Sequence, residues 1–209
     1  RAVERWWMAN SATSPLQFLV PHMQQYEHVL ANFEAAVPVI HTPTPDFGFQ
    51  FSVASSVLPA VAAAGVDVVS LANNHSYDFG TVGFSHTVTA FRERGIIPIG
   101  HPHTVEDAHT MLSSSGQSLT VIAANDIATE LNLAALSASV LAASTSDMTV
   151  VYLHWGEEYQ ADASSRQRII ASELADAGAD LIVGHHPHVV QPIERFGTTL
   201  VLYSLGNTV

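Results

Sequence analysis

The stretch 181–194, LIVGHHPHVVQPIE, carries an apolar run straight into three histidines within four positions: His185, His186 and His188. The run LIVG has the length and β-branched content of a buried strand, so the histidines fall where that strand gives way to a turn. His186 and His188 flank Pro187. A proline that holds the backbone extended sends both imidazoles to one side, where they can converge on a metal ion.

Working outward, short β-rich runs alternate with longer helical patterns. Strands are predicted at 28–33, 66–72, 96–100, 119–124, 149–154, 180–185 and 199–204. Helical spacing occupies 52–65, 81–95 and 164–178, each ending at a glycine, and 131–144 is a further helix candidate rich in serine. Strand–helix–strand alternation predicts an α/β fold with largely parallel strands buried on both faces. The Pro-rich segment 37–48 reads as an exposed loop, with His41 a solvated bystander.

Composition narrows the chemistry. The 209 residues are 47% hydrophobic, enough for one substantial core, and length fits one domain or two. There is no cysteine, so disulfides, thiolate metal sites and a cysteine nucleophile are excluded. A net charge of −12, with arginine the only strong base, argues against nucleic acid or an anionic membrane as partner. No apolar run reaches the roughly 18 residues that suggest a membrane span, so the chain carries no predicted membrane anchor. The opening RAVERWWMANS reads as a chain entered midway.

In open α/β sheets ligands gather beyond the carboxyl ends of the strands. The unusual polar clusters fall there: Asn32 and Glu34; Asn73, Asn74, His75 and Asp78; His154, Glu157 and Glu158; the three histidines of 185–188; then Ser204 and Asn207. Asparagine and glycine turns explain one such cluster, but not a succession rich in imidazole, amide and carboxylate. Nitrogen and oxygen donors without thiolate suit zinc, manganese or iron. Two such ions about 3.5–4 Å apart activate water and clamp a phosphoryl oxygen. A carboxylate such as Glu34 can bridge them, and an imidazole such as His75, beside the ions but not on them, can protonate a leaving group.

The ordered series NFEAAV, SLANNHSYDFG, GIIPIG, LHWGEEY, GADLIVGHHPHVVQPIE and LYSLGN resembles the bacterial capsule-synthesis proteins of the CapA type. These are associated with poly-γ-glutamate and have the calcineurin-like metallophosphatase fold. The resemblance implies a β-sandwich flanked by helices, with residues 1–209 forming a single domain cut short at both ends. It implies Glu34 as the bridging carboxylate, Asn74 as an amide ligand, and His154, His186 and His188 as imidazole ligands. His75 is then the catalytic acid. Asn32 supports Glu34, while His185, Glu157 and Asn207 sit outside the ligand set, against a ligand or the substrate.

In the family a strand ending in Gly-Asp supplies the first metal ligand, followed by a Gly-Arg that Arg1 resembles, so the N-terminal strand is expected to be missing. The expectation is then a divalent transition metal (Mn, Zn or Fe) at two positions in the intact protein and one in this chain. A carboxylate such as Asp78 or Glu157 would have to replace the absent aspartate for a second ion to bind. Exposed edges would favour self-association. The implied function is capsule or poly-γ-glutamate biosynthesis or export at an extracytoplasmic surface, through metal-dependent hydrolysis of an anionic polymer or a small phosphoester. The alternatives are a non-catalytic polymer-binding or assembly component, or a small-molecule phosphoesterase.

Overall fold

The computed structural model describes residues 15–42, 49–105 and 109–208. The opening segment with Arg1, and residues 43–48 of the Pro-rich loop, lie outside them. Two sheets with flanking helices give the mixed α/β architecture expected. Contacts group the described residues into two compact units. The first comprises those up to Val69 together with His75–Pro98; the second comprises Ser70–Asn74 and Ile99–Thr208.

In the first unit, a short helix α1 (Val20–Met23) precedes β1 (Leu30–Asn32), a 3₁₀ turn (Ser55–Val57), α2 (Leu58–Ala63), β2 (Val68–Ser70), α3 (Gly80–Arg92) and β3 (Ile97–Ile99). The sheet order is β1-β2-β3, with the terminal residues Ser70 and Ile99 counted in the second unit. Helix α3 buries Gly83, Thr87 and Phe91, one face at four-residue spacing. Phe91 meets Phe33 edge to face at 4.8 Å between ring centroids. Thr87 Oγ1 accepts from Val37 N–H at 2.8 Å.

The second unit is built on a six-stranded sheet. Its strands are β4 (His109–Ser114), β5 (Gln117–Asn125), β6 (Met148–His154), β7 (Leu181–His185), β8 (Ile193–Phe196) and β9 (Thr199–Leu202), in the order β4-β5-β6-β7-β9-β8. The inner strands β5, β6, β7 and β9 are parallel, as expected. Strands β4 and β8 are antiparallel edges absent from the sequence reading. An edge strand is half solvated, so polar runs such as LSS, or IERF after a proline, carry little strand signal. The β4–β5 hairpin closes through Ser115 and Gly116, both at positive φ (53° and 84°) as a two-residue hairpin turn requires.

Helices α4 (Leu133–Ala143) and α5 (Ser165–Asp176) complete this unit. Period-two alternation sends Ile122 and Ala124 of β5, Val151 and Leu153 of β6, Ile182 of β7 and Val201 of β9 into one apolar cluster. Leu136 and Val140 of α4 join it, as do Ile170, Ala171 and Leu174 of α5. The expected glycine stops are in place: Gly65, Gly95 and Gly178 follow their helices at φ 93°, 73° and 103°.

Trp155, fully buried, donates its indole N–H to Tyr203 C=O at 2.9 Å, and Gly184 of β7 lies against that bond. A Cβ on Gly184 would fall 2.0 Å from Tyr203 O and 2.2 Å from Trp155 Nε1. Gly184→Ala is therefore expected to cost about 3 kcal/mol or more by overpacking. Urea denaturation of the two proteins measures this; a variant as stable as the parent would mean that the strand and the indole yield freely.

Candidate metal centre

The same alternation that fills the core places the histidines. On β6, Val151 and Leu153 face the helices, so His154 lies on the opposite face with Tyr152. On β7, Ile182 faces the helices and His185 does not. Parallel register sets His154 directly beside His185, with ring centroids 4.9 Å apart. His186 follows at φ 101° with its ring 4.7 Å from that of His154. His188, at φ 60°, lies 5.9 Å from His186. Backbone held at positive φ in non-glycine residues costs of order 1–3 kcal/mol each and persists where the surroundings over-determine it. Here it turns successive imidazoles toward one cluster, in place of the extended backbone expected around Pro187.

Hydrogen bonds set the tautomers. Asn74 Oδ1 can only accept, so its 2.7 Å bond is made by His154 Nε2–H. His154 Nδ1 then accepts from His185 Nδ1–H at 2.7 Å. That leaves the lone pair of His185 at Nε2, an atom buried without a hydrogen-bond partner among the described residues. Burial, and secondarily the neighbouring His186, pushes the pKa of His185 down to about 3, so it stays neutral. His188 Nδ1 bonds Asn207 Oδ1 at 2.8 Å, which makes Nδ1 the donor and puts the lone pair on Nε2.

The loop after β6 is tied to the histidine turn by its backbone. Trp155 N–H donates to His185 C=O at 3.1 Å, and Tyr159 N–H to Pro187 C=O at 2.8 Å. Gln191, 3% exposed, clamps the rest: its amide donates to Gln160 and Asp162 carbonyls at 3.0 Å each and accepts from Gln167 at 3.0 Å. Gln167 also closes the capping box with Ser164 that starts α5. Gly156, at φ 85°, admits Gln167: a Cβ there would lie 2.8 Å from that side chain.

This geometry brings His154, His186, His188, His185, Asn74 and Asn207 into one network of the second unit. Glu157 is exposed on the same loop. Its neighbour Glu158, mentioned in the sequence only as part of a cluster, forms a group with His186 and His188 whose ligand atoms all lie within 4.8 Å of one another. The sequence signal for Gln191 is a glutamine inside the apolar-flanked VVQPI, the mark of a buried clamp. In the first unit, Asn32 Nδ2 donates to Glu34 Oε2 at 3.1 Å. His75 Nδ1 bonds Asp78 Oδ2 at 2.8 Å, and the Phe51 ring lies against the imidazole, tilted by 41° with centroids 4.0 Å apart. Asp78 also accepts from Phe51 N–H at 2.5 Å, so one carboxylate orients both ring and loop. His41, expected to be solvated, is half-buried and shares a 3.1 Å hydrogen bond with Ser52 Oγ.

Solved structures described as a 5'-nucleotidase and as a phosphatase share this fold. A putative 5'-nucleotidase from Staphylococcus aureus, solved in complex with α-ketoglutarate, superposes with a TM-score of 0.63 over 92% of this chain and 42% of that one, at 14% identity. The model of the family described as bacterial capsule synthesis protein PGA_cap matches residues 1–209, and the chain belongs to that family. The capsule biosynthesis protein CapA of Bacillus anthracis is 33% identical over 90% of this chain and 52% of that protein. The PGA biosynthesis protein CapA of Bacillus subtilis is 31% identical over 100% of this chain and 60% of that protein. The chain thus spans a little over half the length of these relatives.

Gln191→Leu removes one acceptor and two donors from a buried site and leaves the carbonyls of Gln160 and Asp162 and the amide of Gln167 unpaired. A loss of about 2–4 kcal/mol is expected, with faster amide exchange concentrated in 156–163. Urea titration and hydrogen exchange by mass spectrometry check both parts; unchanged exchange there would show that the clamp does not hold the loop.

Proposed function

We propose that this chain carries a metal-dependent hydrolase centre that acts in the making or export of an anionic poly-γ-glutamate capsule. The observation that carries the reading is the cluster of His154, His186 and His188 beside Asn74, held on strand ends of a metallophosphatase-like fold in a capsule-synthesis family. The donor chemistry fits a divalent transition metal. Its atoms are imidazole nitrogen and amide oxygen, the chain has no thiolate, and His188 keeps its Nε2 lone pair through the bond to Asn207. Glu34 is assigned as the carboxylate ligand on the family resemblance, with Asn32 orienting it.

When bound, the metal supplies Lewis acidity and a water activated for attack on a phosphoester or an amide. The chain's own groups do the rest. His154 would hold the ion through Nε2 with its own proton on Nδ1, and His185, its proton then on Nε2, would accept that Nδ1–H in a hydrogen bond. His75 hands a proton to the leaving oxygen or nitrogen, and Asp78, bonded to Nδ1, orients the imidazole for that transfer. The net charge of −12 works against holding a polyanion over the whole surface, which favours local capture at the metal. Membership of a capsule-synthesis family supports an extracytoplasmic, cell-surface site of action. Among the described residues no helix is long and apolar enough to cross a membrane.

His188→Ala is expected to lower bound metal while the fold persists, since it removes a direct ligand. His75→Ala should keep the metal but slow hydrolysis by roughly 10²–10⁴-fold, the range for loss of a general acid. Elemental analysis, with turnover of an aryl phosphate and of γ-linked glutamyl peptides by the manganese-loaded protein, separates the two. Full metal occupancy in His188→Ala would remove it from the ligand set, and parallel loss of metal and rate in His75→Ala would make His75 a ligand.

A further inference from the structure

We propose that Glu158 is a metal ligand, completing with His186 and His188 a two-imidazole, one-carboxylate position within the second unit. The inference rests on the reading that these histidines hold a metal, and adds a ligand that neither sequence nor family resemblance supplied. The carboxylate of Glu158 and one ring nitrogen from each histidine lie within 4.8 Å of one another. His186 is buried, His188 half-buried and Glu158 exposed, so the group opens toward solvent, where an ion and its remaining waters can enter.

Position, not composition, singles out Glu158 from Glu157. The Tyr159 N–H to Pro187 C=O bond, 2.8 Å, ties the residue next to Glu158 to the residue between the two histidines. Tyr159 is itself held at φ 61°, and its ring lies 5.9 Å from that of His188. Gly156 turns the loop at φ 85°, and Gln191 holds Gln160 and Asp162 from below. The chain is thus held on both sides of Glu158, by Trp155 N–H to His185 C=O before it and by the Tyr159 and Gln191 bonds after it, the preorganisation a ligand requires. Two imidazoles and a carboxylate are also three protein ligands, the number that leaves a catalytic zinc, manganese or iron site open to water.

The test is calorimetric titration of manganese(II), and separately zinc(II), into the wild-type chain and into Glu158→Gln, Glu157→Gln and His188→Ala, each first checked for an unchanged circular dichroism spectrum. The cobalt(II) visible spectrum serves as a second, activity-free readout. Glu158→Gln should weaken binding at least about tenfold and alter the cobalt bands, while Glu157→Gln behaves as wild type. Wild-type affinity in Glu158→Gln together with loss of metal in His188→Ala would overturn the role of Glu158 and leave the histidine site standing. Equal weakening in Glu157→Gln and Glu158→Gln would also overturn it, since a diffuse field of negative charge would then explain the effect. No binding of either metal to the wild-type chain would overturn the metal reading itself.

Discussion

The parallel register of β6 on β7 is the constraint from which the second unit follows. Both strands are buried on two faces, so each residue is committed either to the helix-backed apolar cluster or to the opposite side. With Val151 beside Ile182, His154 is placed beside His185. A slip of one residue would drive imidazoles into the cluster of Leu153, Ile170 and Leu174 and turn those core side chains outward. Desolvating an imidazole there without a partner costs several times what a surface substitution does, so register and site are specified by the same free energy.

Around that register the chain spends buried polarity on a second task. The glutamines Gln167 and Gln191 are almost fully buried, yet each meets its partners through a linked set: Ser164 to Gln167, Gln167 to Gln191, Gln191 to two carbonyls of one loop. Such a network stabilises only if complete, because each missing partner strands a desolvated group. Its product is geometry. The loop after β6 is tied to the histidine turn, and two glycines admit close approaches there: Gly156 beside Gln167 and Gly184 beside Trp155.

The first unit uses a different device for its own candidate group. His75 and Asp78 are three residues apart after β2, and Asp78 also binds the backbone of Phe51, so the imidazole is gripped by a carboxylate on one edge and a ring on its face. Imidazole held in this way has a defined tautomer, the property a proton donor or acceptor needs before any question of rate arises. In the second unit His154, His185 and His188 have theirs fixed by amides and by one another.

Sequence alone determined the inner strands, the glycine-stopped helices, the α/β class and most of the histidine set, because each is written in local periodicity or in adjacent residues. HHPH needs no tertiary fold to be noticed, and neither does the succession of polar clusters at strand ends. Tertiary structure alone decided the rest. Edge strands β4 and β8 are half solvated and carry weak signals, so only pairing with β5 and β9 reveals them. The placement of Glu158 beside His186 and His188 depends on a backbone bond from Tyr159 to Pro187, 28 residues downstream. The role of Gln191 depends on carbonyls 31 and 29 residues away. The direction of His186 and His188 depends on left-handed backbone where an extended one was expected. In each case the deciding energy lies in contacts distant along the chain, which pattern and propensity do not encode.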